Sequence, residues 1–294
     1  MITAYQQIEN LVIRHDVDFS SLTTMKVGGK ALLVVEPYLV RQIIQLINIL
    51  KESKTKYFVL GRGSNCIACG DYDGVIVLLA NNFSSIASYG DSVVACAGAP
   101  LAQVAQLCLK RQLSGAEFLA TLPGSVGGGV TSNCGCFGQE ICDIVSSALL
   151  TDGYVTRWYS ASELKFNYRT SLIKDSDKIA LKVKFKLKKG DRNAIEEKIT
   201  QLKRQKLATQ PLNYPSSGSI FLRQGEIIPA KLIELAGLKG IKVGDAQISP
   251  IHSGFIVNCG HATSQDVVKL IEIIQNNIFT KYQVKLVKEV VFIK

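Results

Sequence analysis

Two glycine-rich segments carry the chain's main chemical signal. The first is Leu60-Gly61-Arg62-Gly63-Ser64-Asn65, entered from the strand-like run Tyr57-Phe58-Val59-Leu60. A strand that runs into glycines can turn consecutive backbone N–H groups toward a phosphate, because no side chain keeps the ligand away. This is not the dinucleotide pattern G-x-G-x-x-G. The third glycine is missing, and a further strand rather than a long helix follows. On its own such a loop reads first as a turn. The second segment is Leu122-Pro123-Gly124-Ser125-Val126-Gly127-Gly128-Gly129, followed by Asn133-Cys134-Gly135-Cys136-Phe137-Gly138. A flexible linker of this glycine content would be polar, yet Phe118, Leu119, Leu122, Val126 and Val130 are apolar. Ordered glycine among apolar residues implies backbone packed closely, either between two sheets or against something flat and extended.

Other reactive groups are less suggestive. Eight cysteines lie mostly in apolar or glycine-rich surroundings, where a free thiol behaves as a small hydrophobe. Cys66 and Cys69 form C-x-x-C, but no second pair completes a zinc set, and the histidines are His15, His252 and His261. The formal net charge of +10 favours anionic partners. Part of that excess is the alternation of Lys182, Lys184, Lys186 and Lys188 with Leu181, Val183, Phe185 and Leu187. That is a strand with one wet face as much as a binding patch. With one tryptophan and no recognisable RNA- or DNA-binding motif, charge is the sole argument for nucleic acid, and none is expected as a partner. Met1–Asn10 shows no basic n-region followed by an apolar stretch, and no apolar run is long enough for a bilayer. A cytoplasmic enzyme without membrane insertion is the expectation.

These segments need elements to hold them. Apolar periodicity predicts helices over Pro37–Lys54, Pro100–Gln112, Asn193–Ala208, Pro229–Leu238 and Ser264–Thr280. Strands are expected at Tyr57–Leu60, Gly74–Ala80, Phe255–Asn258 and Leu286–Ile293, with more between Ser146 and Lys189 around a hairpin turn at Asp152-Gly153. The 294 residues suggest about two domains. An α+β chain is read, with a larger lobe over 1–196, internally divided near 85–95, and a smaller lobe over 197–294.

In order along the chain stand Thr24-Met25-Lys26-Val27-Gly28-Gly29, the loop 60–65, Asp73-Gly74, Phe118–Gly138 and Tyr168-Arg169-Thr170-Ser171. They continue with Gln210-Pro211-Leu212, Tyr214-Pro215-Ser216-Ser217-Gly218-Ser219, Lys231–Gly240, His252–Asn258 and Glu289-Val290. In these blocks the chain resembles the UDP-N-acetylenolpyruvoylglucosamine reductases, flavoproteins of the vanillyl-alcohol-oxidase (PCMH) superfamily. The resemblance runs from about residue 20 to the end. It implies an FAD-binding lobe of two α/β subdomains and a smaller α+β substrate lobe.

It also implies chemistry. Members of that family hold FAD non-covalently and use NADPH to reduce the enolpyruvyl ether of UDP-N-acetylglucosamine enolpyruvate to UDP-N-acetylmuramate, for cell-wall synthesis. Carried over by motif, Gly61, Arg62, Gly63, Ser64, Asn65, Pro123, Gly124, Ser125, Gly128 and Asn133 would line the FAD. Hydride addition leaves carbanion character beside a carboxylate, which needs electrostatic stabilisation and then a proton. The family's catalytic trio falls on Arg169, which would steady the carboxylate, Ser219, which would donate the proton, and Glu289, which would polarise the developing acid. Tyr168 and Arg223 would contact substrate. His252 lies in a matching block without a catalytic role.

Three departures stand out. Leu222-Arg223-Gln224 follows Phe221 where many relatives carry Lys-Asn-Pro or Lys-Arg-Pro, and Lys288-Glu289-Val290-Val291 replaces a common Pro-Glu-Val-Arg. The chain also lacks the inserted tyrosine-bearing loop of one branch, so it resembles the shorter branch. The alternative is another FAD oxidase or dehydrogenase of the same superfamily, which would keep the glycine loops without requiring Arg169, Ser219 and Glu289 together.

Overall fold

The computed structural model describes residues 8–294; the first seven positions of the stretch read as leaderless lie outside the described residues. The chain forms two compact units, neither of them continuous in sequence. The first comprises residues 8–15, Leu33–Arg62 and Gly74–Gln205; the second comprises Asp16–Leu32, Gly63–Asp73 and Lys206–Lys294.

The first unit takes in residues 12–15, 33–36, 74–78 and 57–60 of a sheet whose order is Val12–Asp18, Lys30–Glu36, Tyr72–Leu78, Tyr57–Leu60. Tyr57–Leu60 pairs parallel with residues 75–78. A parallel pair needs a crossover, supplied by residues 61–71, while a helix connects Lys30–Glu36 to Tyr57–Leu60. That helix, Val40–Glu52, buries Ile43, Leu46, Ile47 and Leu50 completely. Each such side chain contributes about 1.5–3 kcal/mol by leaving water. A second, antiparallel sheet has the order Thr156–Ser160, Val145–Thr151, Ile179–Lys186, Ser92–Cys96, Ile86–Tyr89. In its middle strand Leu181, Val183 and Phe185 are buried while Lys184 and Lys186 are exposed, as the alternation predicts. The Asp152 turn closes the expected hairpin, its Oδ1 accepting from the N–H groups of Tyr154 and Val155. Helices Leu101–Lys110 and Arg192–Thr209 fall where periodicity places them.

The second unit has its own core, built from residues such as Met25, Ile67, Ile220, Ile233, Ile256, Leu270 and Ile274. Its sheet runs Ser216–Ser219, Phe255–Asn258, Ala246–Ile248, Lys242–Val243, and a short parallel pair joins Val291–Ile293 to Cys66–Ala68. Helix Ser264–Tyr282 is capped by Thr263, whose Oγ1 accepts from Asp266 N–H while Asp266 accepts from Thr263 N–H. Two expectations are corrected here. Helix Pro229–Leu235 stops three residues early, because Gly237 takes φ +76° just past its end. The strand expected over Leu286–Ile293 is limited to Val291–Ile293. Upstream of it, Leu222 N–H donates to Val287 O and Glu289 N–H to Ile220 O, so that stretch lies along residues 220–222 instead. Among the described residues no helix is long and apolar enough to cross a membrane.

Candidate active site

In the first unit the two glycine segments meet. Strand Tyr57–Leu60 delivers Gly61 against Ser125, where a Cβ on Gly61 would run into the serine Oγ. Ser125 is buried and caps the short helix Val126–Thr131, accepting from Gly128 N–H at 3.3 Å. The next two amides are tied down as well: Val126 N–H donates to Ala99 O at 2.9 Å and Gly127 N–H to Ala97 O at 2.8 Å. A Cβ on Gly127 would stand 2.8 Å from that of Ala97. Glycine is therefore needed here for backbone-on-backbone packing. The outer side is different. Pro123 and Gly128 are exposed, and a Cβ on Gly128 would meet nothing but Ser125 Oγ, at 3.5 Å. The result is a rigid, side-chain-free backbone surface, which fits a flat, extended cofactor such as FAD. Arg62, exposed at the loop's end, donates to Asn81 Oδ1 at 3.0 Å.

Gly63, Ser64 and Asn65 belong to the second unit. Gly63 has φ +61° and leaves no room for a Cβ beside Leu22 O. Its own carbonyl accepts from Thr24 N–H at 3.2 Å, and Thr24 Oγ1 donates to Ser216 O at 2.7 Å. The Thr24 block thus joins the loop to the strand that bears Ser219.

Arg169 sits in the first unit in left-handed backbone, φ +54°. Asn167 and Thr170 hold the turn by exchanging two backbone hydrogen bonds of 3.1 Å. The guanidinium donates to Gly135 O at 3.0 Å, to Asn133 O at 3.3 Å and to Glu140 Oε1 at 3.5 Å. The Tyr168 ring, with its side chain largely exposed, has its centroid 5.0 Å from the guanidinium carbon. Asn133 is buried, and its side chain is used inside the protein, donating to Glu140 Oε2 and Asn167 O and accepting from Cys142 N–H.

Ser219 and Glu289 both belong to the second unit and lie on adjacent chains. Ser219 pairs with Phe255 across a one-residue irregularity that begins at the Ser216–Val257 pair. Gly218 takes φ +74° inside this bulge, with nothing within 4 Å of a Cβ. Bulges re-aim side chains. The half-buried Ser219 hydroxyl makes no hydrogen bond to any described residue. Glu289 is held through its backbone: its N–H donates to Ile220 O at 2.8 Å, and its carbonyl accepts from Asn65 Nδ2 at 3.3 Å. Asn65 O in turn accepts from Val291 N–H at 2.9 Å. Arg223 is exposed, donating to Gly225 O at 2.9 Å, and Gln224 Oε1 next to it is buried without a partner among the described residues.

Two of the thiols are poor nucleophiles. Burial pushes Cys66 and Cys134 up to about 12, so both stay protonated at neutral pH. No group of three or more His, Cys, Asp or Glu among the described residues is placed to hold a metal. His252 is lowered by burial, and its Nδ1 accepts from Gly254 N–H at 3.2 Å, a hydrogen-bonded packing role. Two residues escape a reading of the sequence: Asn65 as a clamp on Glu289, and Glu140 beside Arg169. The available signal for Glu140 was that residues 115–144 contain no Lys or Arg and no acid besides Glu117, Glu140 and Asp143.

Residues 31–156 match the FAD binding domain family, and residues 210–293 match the C-terminal domain of UDP-N-acetylenolpyruvoylglucosamine reductase. The chain is 39% identical to the UDP-N-acetylenolpyruvoylglucosamine reductase of Alkaliphilus oremlandii, over 94% of this chain and 91% of the relative. It is 40% identical to that of Clostridium novyi, over 95% and 91%. The solved UDP-N-acetylenolpyruvylglucosamine reductase of Thermus caldophilus superposes with a TM-score of 0.83 at 28% identity, covering 97% of this chain and all of the other. The chain belongs to the UDP-N-acetylenolpyruvoylglucosamine reductase family.

Proposed function

We propose that this chain is the NADPH-dependent flavoenzyme that reduces the enolpyruvyl group of UDP-N-acetylglucosamine enolpyruvate to UDP-N-acetylmuramate, working in the cytoplasm. The observation that carries the reading is family membership along nearly the whole chain, through both the flavin-binding and the C-terminal segments. FAD, when bound, supplies the hydride transfer from NADPH to the alkene. Residues 1–196 are assigned to flavin binding and 197–294 to the substrate. Gly61–Asn65, Pro123–Ser125, Gly128 and the backbone at Asn133 hold the cofactor.

The rest is the work of side chains. Arg169 binds the substrate carboxylate and stabilises it as it takes on enolate character, a charge that a preorganised guanidinium meets without reorganising. Its ties to Gly135, Asn133 and Glu140 support this role, because they fix its direction before substrate arrives. Ser219 hands its proton to the carbon that did not receive the hydride; a hydroxyl with no hydrogen bond to any described residue is available for that transfer. Glu289 hydrogen-bonds the developing acid. Tyr168 and Arg223 contact the substrate, Arg223 as a donor to phosphate.

The test is an anaerobic absorbance trace of the flavin-loaded protein. NADPH should bleach the flavin band, and the enolpyruvyl substrate should restore it. Bleaching without recovery would mean a different acceptor. A protein that binds no flavin would remove the proposal.

A further inference from the structure

We infer that Glu140 is the positioning residue of the Arg169 guanidinium, an inference that rests on the substrate role proposed for Arg169. The ion pair is a poor stabiliser. Its 3.5 Å separation and its side-chain exposures of 19% and 33% place it among pairs worth about 0–1 kcal/mol. Yet the acid is tightly fixed. Its other oxygen accepts from the buried Asn133 Nδ2 at 2.8 Å, and the same nitrogen donates at 3.1 Å to Asn167 O, inside the turn that carries Arg169. One buried amide therefore locks the acid to the turn of its partner.

The scaffold repeats this arrangement. Gly135–Cys136 and Gln139–Glu140 form a hairpin in which Glu140 stands opposite Gly135. That single rung supplies both the carboxylate and the Gly135 carbonyl that receive the guanidinium. A side chain at Gly135 would strike the Gln139 carbonyl, so the rung cannot be rebuilt with another residue unless the hairpin moves. Arg169 meanwhile holds a left-handed conformation, which costs a residue with a Cβ about 1–2 kcal/mol. Strain retained beside a weak ion pair means that direction, rather than stability, is what the Glu140 carboxylate secures.

The consequence separates rate from affinity. Removing the negative charge beside Arg169 does not weaken its attraction for an anion; it removes the constraint on where the N–H groups point. The test uses the flavin-loaded enzyme carrying Glu140→Gln, Arg169→Met and both. Calorimetry gives the preference for UDP-N-acetylmuramate over UDP-N-acetylglucosamine, which lacks the carboxylate. Rapid mixing gives the ratio of the substrate-reduction rate at saturation to the rate of flavin reduction by NADPH. Glu140→Gln should lower that ratio about 10- to 100-fold, the scale of a misplacement near 1 Å, while keeping the carboxylate preference. In the Arg169→Met background it should add less than about twofold, as coupled residues do. An unchanged ratio, full additivity, or loss of the preference along with the rate would overturn the inference. If Arg169→Met itself kept the carboxylate preference, the role of Arg169 would fall, and this inference with it. Should Glu140→Gln fail to retain flavin, Glu140→Asp, which keeps the charge but shortens its reach, is read in the same way.

Discussion

Arg169 and Ser219 are held in opposite ways. The arginine is fixed by what its side chain touches, backbone carbonyls, the Glu140 carboxylate and a tyrosine ring among them. The serine is fixed through its backbone, by a bulged strand, a left-handed glycine and a neighbouring segment pinned by Asn65, while its hydroxyl has no hydrogen bond to any described residue. The chemistry explains the difference. A half-buried guanidinium needs partners to offset its desolvation, and those partners also aim it. A hydroxyl that must give up a proton is best left uncommitted, so its position has to come from the main chain. Substitutions should therefore separate the two regions: at the serine they touch chemistry alone, and at the arginine both chemistry and stability.

The largest effect is expected at Ser219. Ser219→Ala should slow substrate reduction by about 10²- to 10⁴-fold, the range for a positioned acid. With no hydrogen bond to lose, its stability should stay within about 0.5 kcal/mol of the parent. Stopped-flow measurement of both half-reactions beside a thermal melt decides this; equal slowing of both would take the proton-donor role from Ser219.

Arg169→Met comes next. Loss of one preorganised donor group costs about 10²- to 10³-fold in substrate reduction. Unlike the serine variant it should also lose stability, by about 1–3 kcal/mol, because Gly135 O, Asn133 O and Glu140 each lose a donor. A melt matching that of the parent would erase the contrast between the regions.

Gly61→Ala probes the packing beneath the flavin-binding surface. The new methyl must displace the buried Ser125 hydroxyl that caps Val126–Thr131. Overpacking of this kind costs about 1–3 kcal/mol, with weaker flavin retention, read by equilibrium dialysis of FAD and by denaturant melts.

How much of this the sequence discloses depends on how local each cause is. Helix Val40–Glu52 and strand Ile179–Lys186 are legible because their apolar periods, 3.6 and 2, are written in consecutive residues. The glycine segments are legible as close-packed backbone, because flexible glycine does not keep company with Phe118, Leu119 and Val126. Partners distant in the chain are not legible. Asn65 meets Glu289 across 224 positions and Arg169 meets Glu140 across 29, and no local pattern marks either pairing. The misjudged strand over Leu286–Ile293 has the same origin. Its apolar residues announce burial, but whether Val287–Glu289 joins a ladder or lies beside residues 220–222 is decided by chain that folds against it.

Gly218 gives the smallest expected effect and the sharpest reading of the serine side. Its φ of +74° penalises any residue with a Cβ, yet the space around that Cβ is open. Gly218→Ala should therefore cost only backbone strain, about 1–2 kcal/mol, with no clash to relieve. If the bulge exists to aim Ser219, relaxation of that strain will turn the hydroxyl, and substrate reduction should fall by more than the melt suggests, about tenfold against a Tm loss of a few degrees. Flavin reduction by NADPH is the internal reference, since Gly218 is remote in sequence from every segment assigned to the cofactor. A variant with the expected Tm loss and an unaltered ratio of half-reactions would mean that Ser219 is aimed by the pairing with Phe255 alone. The left-handed glycine would then serve the sheet rather than the proton.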